Sequence, residues 1–308
     1  MMKTNEIGEA KGRKKVSLGG FMRARAERLR RLGRERSSEV VLQALRSFMW
    51  FREGRDISLT GLTGGVVEQY EAWLKARGVK RNTVGFYMRT LRAAYNSAAD
   101  EGLTDDRRPF CKVYAGVDKT LKRAIGIEAI RAIKRLDLRS SPPLERARNI
   151  LMFSFYMRGM SFVDMAYLSR RNLRDGRIVY CRKKTGQQLS VEVPPEAMAI
   201  IGMYASDSQY LLPIIRRADG TERRQYKNAI TMINRNLKKI GAMAGLTVPL
   251  TTYVMRHSWA TIARNKGIEL SVISEALGHD SEATTRIYLA SISTTKVDAA
   301  NRAILADL

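Results

Sequence analysis

Two arginines, two histidines, a pair of lysines and one tyrosine are the residues of this chain whose types and surroundings could do chemistry. Arg158 closes an apolar run in Phe155-Tyr156-Met157-Arg158-Gly159-Met160. Arg256 and His257 sit in Thr252-Tyr253-Val254-Met255-Arg256-His257-Ser258-Trp259-Ala260-Thr261, and His279 in Leu277-Gly278-His279-Asp280. Lys183 and Lys184 precede Thr185-Gly186, and Tyr288 follows near the end of the chain. Guanidinium is planar, always charged and able to grip an oxyanion through two parallel hydrogen bonds. A phenol with a pKa near about 10 becomes a nucleophile only when its proton has somewhere to go. Each residue also has a plainer reading. Arg158 can cap a helix C-terminus, where the dipole favours a cation; a lone histidine is more often structural than catalytic; and Tyr288 is one of 12 tyrosines.

The composition says what these groups would act on. Lys and Arg total 55 against 30 Asp and Glu, a formal charge of +25, far beyond what solubility asks. A polyanionic partner is implied, either nucleic acid or an anionic membrane surface. The longest apolar stretch, Ile150 to Met157, is well short of the roughly 20 residues of a spanning helix, so no membrane association is expected. The N-terminus is polar and basic without an apolar core, which predicts a cytoplasmic protein. Cys111 and Cys181 are the only cysteines and lack metal-ligand spacing, so neither a disulfide framework nor a metal site is expected. Both thiols read as packing residues.

The elements that must position these groups follow from periodicity. A length of 308 residues suits two domains. Residues 1–16, with Lys11, Arg13, Lys14 and Lys15, read as a flexible basic arm. From residue 17 to 103 the pattern is helical: Val41, Leu45, Phe48 and Met49 share one face, as do Val84, Met88, Leu91 and Tyr95, and glycines punctuate the runs. Four helices are expected, with arginines such as Arg23, Arg81, Arg89 and Arg92 on outward faces, where they suit phosphate contact. Residues 104–123 carry Pro109 and Gly116 without sustained periodicity and read as a linker. From 124 to 308 a second domain opens with a helix around 128–136 and another after Pro142 and Pro143. A β-hairpin follows, in which Ile178, Tyr180 and Arg182 alternate with Val179, Cys181 and Lys183, and then helices at about 196–205, 224–243, 252–266, 271–277, 282–287 and 296–306. The fold class is mainly α with a small β-sheet.

The order Arg158, Lys184, Arg256, His279, Tyr288, with the words around them, resembles the tyrosine recombinase or phage integrase family. The likeness extends over both domains and is most specific from Arg256 to Tyr288. It implies an N-terminal helical, SAM-like core-binding domain and an α+β catalytic domain. By that resemblance Arg158 and Arg256 are the two catalytic arginines, Lys184 the mobile catalytic lysine with Lys183 its rival, His279 the late histidine, and Tyr288 the nucleophile. Asp164 is similar to the acidic residue on the helix after the first arginine; His257 and Trp259 match positions that pack behind the reacting groups. One position departs: where the family most often has a histidine three residues before the second arginine, this chain has Tyr253.

The implied activity is site-specific cleavage and rejoining of double-stranded DNA through a covalent 3′-phosphotyrosine, giving integration, excision or inversion of a segment. Two arginines supply donors for the charge that develops on nonbridging oxygens, so no metal or other cofactor is expected. The resemblance further implies a homo-tetramer holding two DNA sites, leaves a DNA-bending host factor open, and places the protein with the nucleoid. The alternative is a DNA-binding protein of the same fold with impaired catalysis, of which Tyr253 would be the first sign.

Overall fold

The computed structural model describes residues 16–118, 123–205, 207–279, 281, 283, 285 and 286. All but the last residue of the expected arm, Tyr288, and the helix expected at 296–306 lie outside them. The chain divides into two compact units, Met1–Thr120 and Leu121–Leu308.

The first unit holds α1 (Leu18–Arg31), α2 (Glu35–Phe51), α3 (Gly64–Ala76) and α4 (Arg81–Asp100), the four helices that the apolar spacing predicts. Side chains start two of them: the Ser17 hydroxyl accepts the Gly20 N–H at 3.0 Å, and Thr63 accepts that of Val66 at 3.5 Å, each satisfying a donor that the helix itself leaves open. Val41, Leu45 and Phe48 of α2 and Val84, Met88, Leu91 and Tyr95 of α4 are all buried in one core. Residues 104–118, read from the sequence as linker, are bound to this unit. Phe110 joins its core, Glu71 accepts the Tyr114 N–H at 3.0 Å, and the Asn82 amide spans the Asp118 backbone.

The second unit contains α5 (Ile127–Arg135), α6 (Pro142–Tyr156), α7 (Phe162–Ala166), β1 (Leu173–Arg174), β2 (Arg177–Cys181), β3 (Gln188–Glu192), α8 (Pro195–Met203), α9 (Glu222–Met243), α10 (Val254–Asn265) and α11 (Leu270–Leu277). Prolines open α6, where a missing N–H costs nothing. The helix is buried from Ile150 to Ser154 and packs against α8, α9 and α10. The strands form one antiparallel sheet in the order β1-β2-β3, with Ile178 opposite Val191 and Tyr180 opposite Leu189. The hairpin is as the alternation predicts; β1, two residues long, was not legible from it.

The reading of the two thiols as packing residues is corrected: Cys111 and Cys181 are both exposed. Cys181 stands in the outward register of β2, alternating with the buried Tyr180 and Arg182, and Cys111 lies in the turn after Phe110. Among the described residues no helix is long and apolar enough to cross a membrane.

Leu91 is fully buried where α4 meets its neighbours, so Leu91→Ala should cost about 2–5 kcal/mol. Urea unfolding followed by the fluorescence of Trp50 and Trp73, both in the first unit, will measure it.

Candidate active site

Arg256 organises the site. It lies in the first turn of α10 and is 3% exposed. Its Nη1 donates to the Gly159 carbonyl at 3.0 Å, and its Nη2 donates to the Leu277 carbonyl and lies 3.3 Å from His279 Nε2. Arginine has only donors, so Nε2 is the acceptor and the ring proton is assigned to Nδ1. That nitrogen donates to the hydroxyl of fully buried Thr285 at 2.7 Å. Burial pushes the Arg256 guanidinium down to about 10, with the charge of Arg182 adding to the effect; it stays cationic at neutral pH. Burial likewise pushes His279 down to about 4, helped by the charges of Arg256, Arg182 and Lys184. His279 is therefore neutral at pH 7, in agreement with its acceptor role.

The turn after α6 brings the other arginine close. Arg158 and Gly159 both take left-handed φ, 56° and 70°, so that the Gly159 and Met160 N–H groups fold back onto the Ser154 carbonyl. For a non-glycine residue such a φ is stored strain, of order 1–3 kcal/mol. A Cβ on Gly159 would lie 2.8 Å from the Arg256 Cα, so only glycine lets the two backbones approach this closely. Arg158 is half-buried. The charges of Arg256, Arg182 and Arg158 all bear on the Tyr180 phenol, whose pKa is nonetheless raised, chiefly by burial and further by Asp164. Three guanidinium groups thus converge around one buried ring of β2.

The hairpin is held by Asp164, itself buried. Its carboxylate accepts the Ser161 hydroxyl at 2.6 Å and the Lys183 N–H at 2.9 Å, and lies 3.8 Å from Arg182 Nε. The lysines part here. Both are exposed, but the Lys183 ammonium sits 4.6 Å from the centre of the Tyr167 ring, whereas the charge of Lys184 bears on His279. Tyr253 precedes α10 and is 48% exposed; desolvation raises its phenol pKa despite the opposing charges of Arg256 and Arg182, so it is a hydrogen-bond donor at neutral pH. It meets the buried His257 ring edge-on at 4.9 Å. Trp259 is half-buried and packs with Leu270 onto Ala260, Ala263, Ile273 and Leu277.

Comparison with known proteins identifies this arrangement. Residues 132–294 match the model of the phage integrase family, and residues 17–113 match the phage integrase SAM-like domain. The chain belongs to the phage integrase family. As a member it is an enzyme that cuts and rejoins DNA strands. Tyrosine recombinase XerA of Thermococcus kodakarensis is 28% identical over 228 residues, covering 71% of this chain and 74% of the relative. In fold the integrase is similar to the Tn1549 transposon integrase, with a TM-score of 0.65 at 14% identity over 95% of this chain and all of that one. It is also similar to a lambda integrase tetramer bound to a Holliday junction, with a TM-score of 0.64 at 16% identity over 90% of this chain and 78% of that one.

The structure thus places Arg158, Arg256, His279 and Asp164 in the second unit around the hairpin that carries Lys184, while Tyr288 lies outside the described residues. In the first unit of this integrase, Arg23 and Arg92 are exposed, and Arg81 stacks 4.2 Å from the centre of the Tyr114 ring and pairs with Asp118 at 3.5 Å. Arg89 is half-buried and donates to the Ala115 and Gly116 carbonyls. Sequence reasoning missed Arg182, Gly159, Gly278 and Thr285 as parts of the site. For Arg182 a signal existed: it continues the register of Ile178 and Tyr180, which are only 0% and 8% exposed, so the alternation aims a charged side chain inward.

The chain has two histidines, so their ring signals are readily assigned in an NMR titration. His279 should titrate near 4, against about 6.5 for an unperturbed imidazole. Because the folded value is the lower one, the stability linked to His279 is present above pH 6.5 and is lost as pH falls from there towards 4. The urea midpoint should fall over that window in wild type and fall less in His279→Asn.

Proposed function

We propose that this enzyme is a site-specific DNA recombinase that cleaves each strand by attack of Tyr288 on the scissile phosphate. The observation that carries the reading is that three separate chain segments bring half-buried Arg158, buried Arg256 and a neutral, half-buried His279 to one cationic place. A buried guanidinium whose pKa has been driven down gains by meeting an anion. In the proposed step the Tyr288 oxygen bonds to phosphorus while the bond from phosphorus to the 5′-oxygen breaks. The energy of the phosphodiester is kept in the 3′-phosphotyrosine, so reversal by a 5′-hydroxyl rejoins strands without ATP.

Two protons move. The 5′-oxygen would otherwise leave as an alkoxide about as basic as hydroxide, and Lys184, exposed on the hairpin, donates to it; Lys183 is occupied against Tyr167. The Tyr288 proton goes to His279 rather than to Tyr253. The imidazole is neutral and has a lone pair on Nε2, which is released when Arg256 turns to the phosphate; the raised phenol of Tyr253 has no proton affinity to offer and donates a hydrogen bond instead. Asp164 fixes the hairpin, and His257 and Trp259 pack α10 from behind.

Double-stranded DNA is the partner. Arg23, Arg81 and Arg92 of the first unit hold phosphates, while Arg89 already spends donors on the chain's own carbonyls. Four copies on two sites would exchange the strands pairwise, a reading supported by the likeness in fold to a lambda integrase tetramer bound to a Holliday junction.

The test uses duplexes selected by binding from a random library, then nicked next to each candidate position and incubated with wild type, Tyr288→Phe and Lys184→Ala. A protein–DNA adduct on a denaturing gel with wild type and none with Tyr288→Phe is the expected result. Lys184→Ala should slow adduct formation by roughly 10²–10⁴-fold, the usual worth of a general acid. If wild type binds the selected DNA and gives no adduct, the protein is a binding module with an impaired centre.

A further inference from the structure

We infer that Arg182 is a positioning residue that locks the root of the β2–β3 hairpin to the turn before His279, so that Lys184 and the histidine are held in one fixed relation at the reacting phosphate. The inference rests on the reaction proposed above.

Arg182 is 6% exposed although charged, and its side chain joins two parts of the site, one through an ion pair and one through a hydrogen bond. On one side Nε pairs with Asp164 at 3.8 Å, the same carboxylate that accepts the Lys183 N–H at 2.9 Å. On the other, Nη1 donates to the Gly278 carbonyl, one residue before His279. Its backbone closes the hairpin turn, donating to the Gln187 carbonyl at 2.9 Å and accepting the Gly186 N–H at 2.8 Å. The turn before His279 is shut down on this arginine: Gly278 has φ 61°, and a Cβ there would lie 2.6 Å from Arg182 Cδ and 2.9 Å from Leu189 Cδ1.

Stability alone does not account for such a residue. A buried ion pair is commonly matched or bettered by an apolar side chain of the same volume, whereas a planar guanidinium can hold a carboxylate and a carbonyl at a set distance from each other. Lysine, a single point donor, cannot make both ties. With Arg182 in place, the loop bearing the acid pivots on a base fixed to the histidine turn. Without it, Lys184 is carried by a hairpin tied only through its strands.

The experiment compares cleavage of nicked DNA carrying either the normal 5′-oxygen or a bridging 5′-sulfur at the scissile phosphate. Attack by Tyr288 then breaks a phosphorus–sulfur bond, and the thiolate leaves without a proton, its conjugate acid having a pKa of about 8.5. Wild type should cleave both. Arg182→Gln should lose about 10²-fold on the oxygen substrate, the scale of a group displaced by about 1 Å, and recover most of that loss on sulfur, as Lys184→Ala does. Removing the Arg182 charge should also move the His279 titration upward in NMR. Arg182→Gln combined with Asp164→Asn leaves no buried carboxylate unpaired and carries the same expectation should the single variant fold poorly. If Lys184→Ala is rescued by sulfur and the folded Arg182 variants are not, the inference is overturned while the proposed reaction stands. If Lys184→Ala itself is not rescued, it is the assignment of the acid that fails.

Discussion

Keeping Arg256 charged inside the protein is the constraint on which the rest of the second unit depends. A guanidinium that is 3% exposed has lost most of its hydration, and burial of such a group is tolerable only where its donors meet acceptors. Those acceptors come from distant places in the chain: the Gly159 carbonyl after α6, the Leu277 carbonyl at the end of α11, and the His279 ring beyond it. A single side chain therefore ties α10 to a turn 97 residues before it and to another 21 to 23 residues after it. The Leu277 carbonyl can accept because α11 ends there, and the last carbonyls of a helix have no partner within it.

This explains where the backbone departs from ordinary geometry. Arg158 and Gly159 turn left-handed at the end of α6, and Gly278 does so at the end of α11. In both places the chain is turned so that a carbonyl faces an arginine, Arg256 in one case and Arg182 in the other. Both glycines also lie too close to those arginines for a side chain. Strain at Arg158 is stored next to the groups that the proposed reaction uses, in keeping with a backbone over-determined by its surroundings. The two buried arginines repel each other and lower Arg256 further, so an anion bound beside them is favoured.

How much of this was legible in the sequence depends on which kind of signal each residue leaves. The helices were, because Val41, Leu45 and Phe48, or Val84, Met88 and Leu91, repeat at the helical period, and Pro142 with Pro143 marks a start. Arg256, His279 and Tyr288 were picked out by the words around them, and those words carry spacing along the chain but not contact across it. Arg256 is tied to the turns around it largely through main-chain carbonyls, which every residue has, so nothing in the letters at Gly159 or Leu277 announces an acceptor. Residues 104–118 looked like linker for the same reason: many of their ties are side chains such as Arg89 and Asn82 reaching main-chain atoms, and their apolar anchors, Phe110 with the partly buried Val113 and Ala115, show no period. Arg182 was legible in principle, since it stands in the inward register, but a basic hairpin tip nearby made its charge look ordinary.

The replacement of a histidine by Tyr253 takes a definite meaning in this setting. Two groups flank Arg256 with environments that push them in opposite directions: the phenol upward and the imidazole downward. Separation of that kind assigns proton roles. A histidine at position 253 would place a second imidazole against His257, a second candidate base. Tyrosine there is no such base; it offers a donor across the whole physiological range and leaves proton transfer to a single neutral ring. In the proposed reaction that ring is also tied through Nδ1 to Thr285, three residues ahead of the nucleophile in the sequence, so the group that takes the proton and the segment that presents the phenol are linked by one hydrogen bond. The substitution then concentrates the proton chemistry on His279 and Lys184 and does not by itself abolish it.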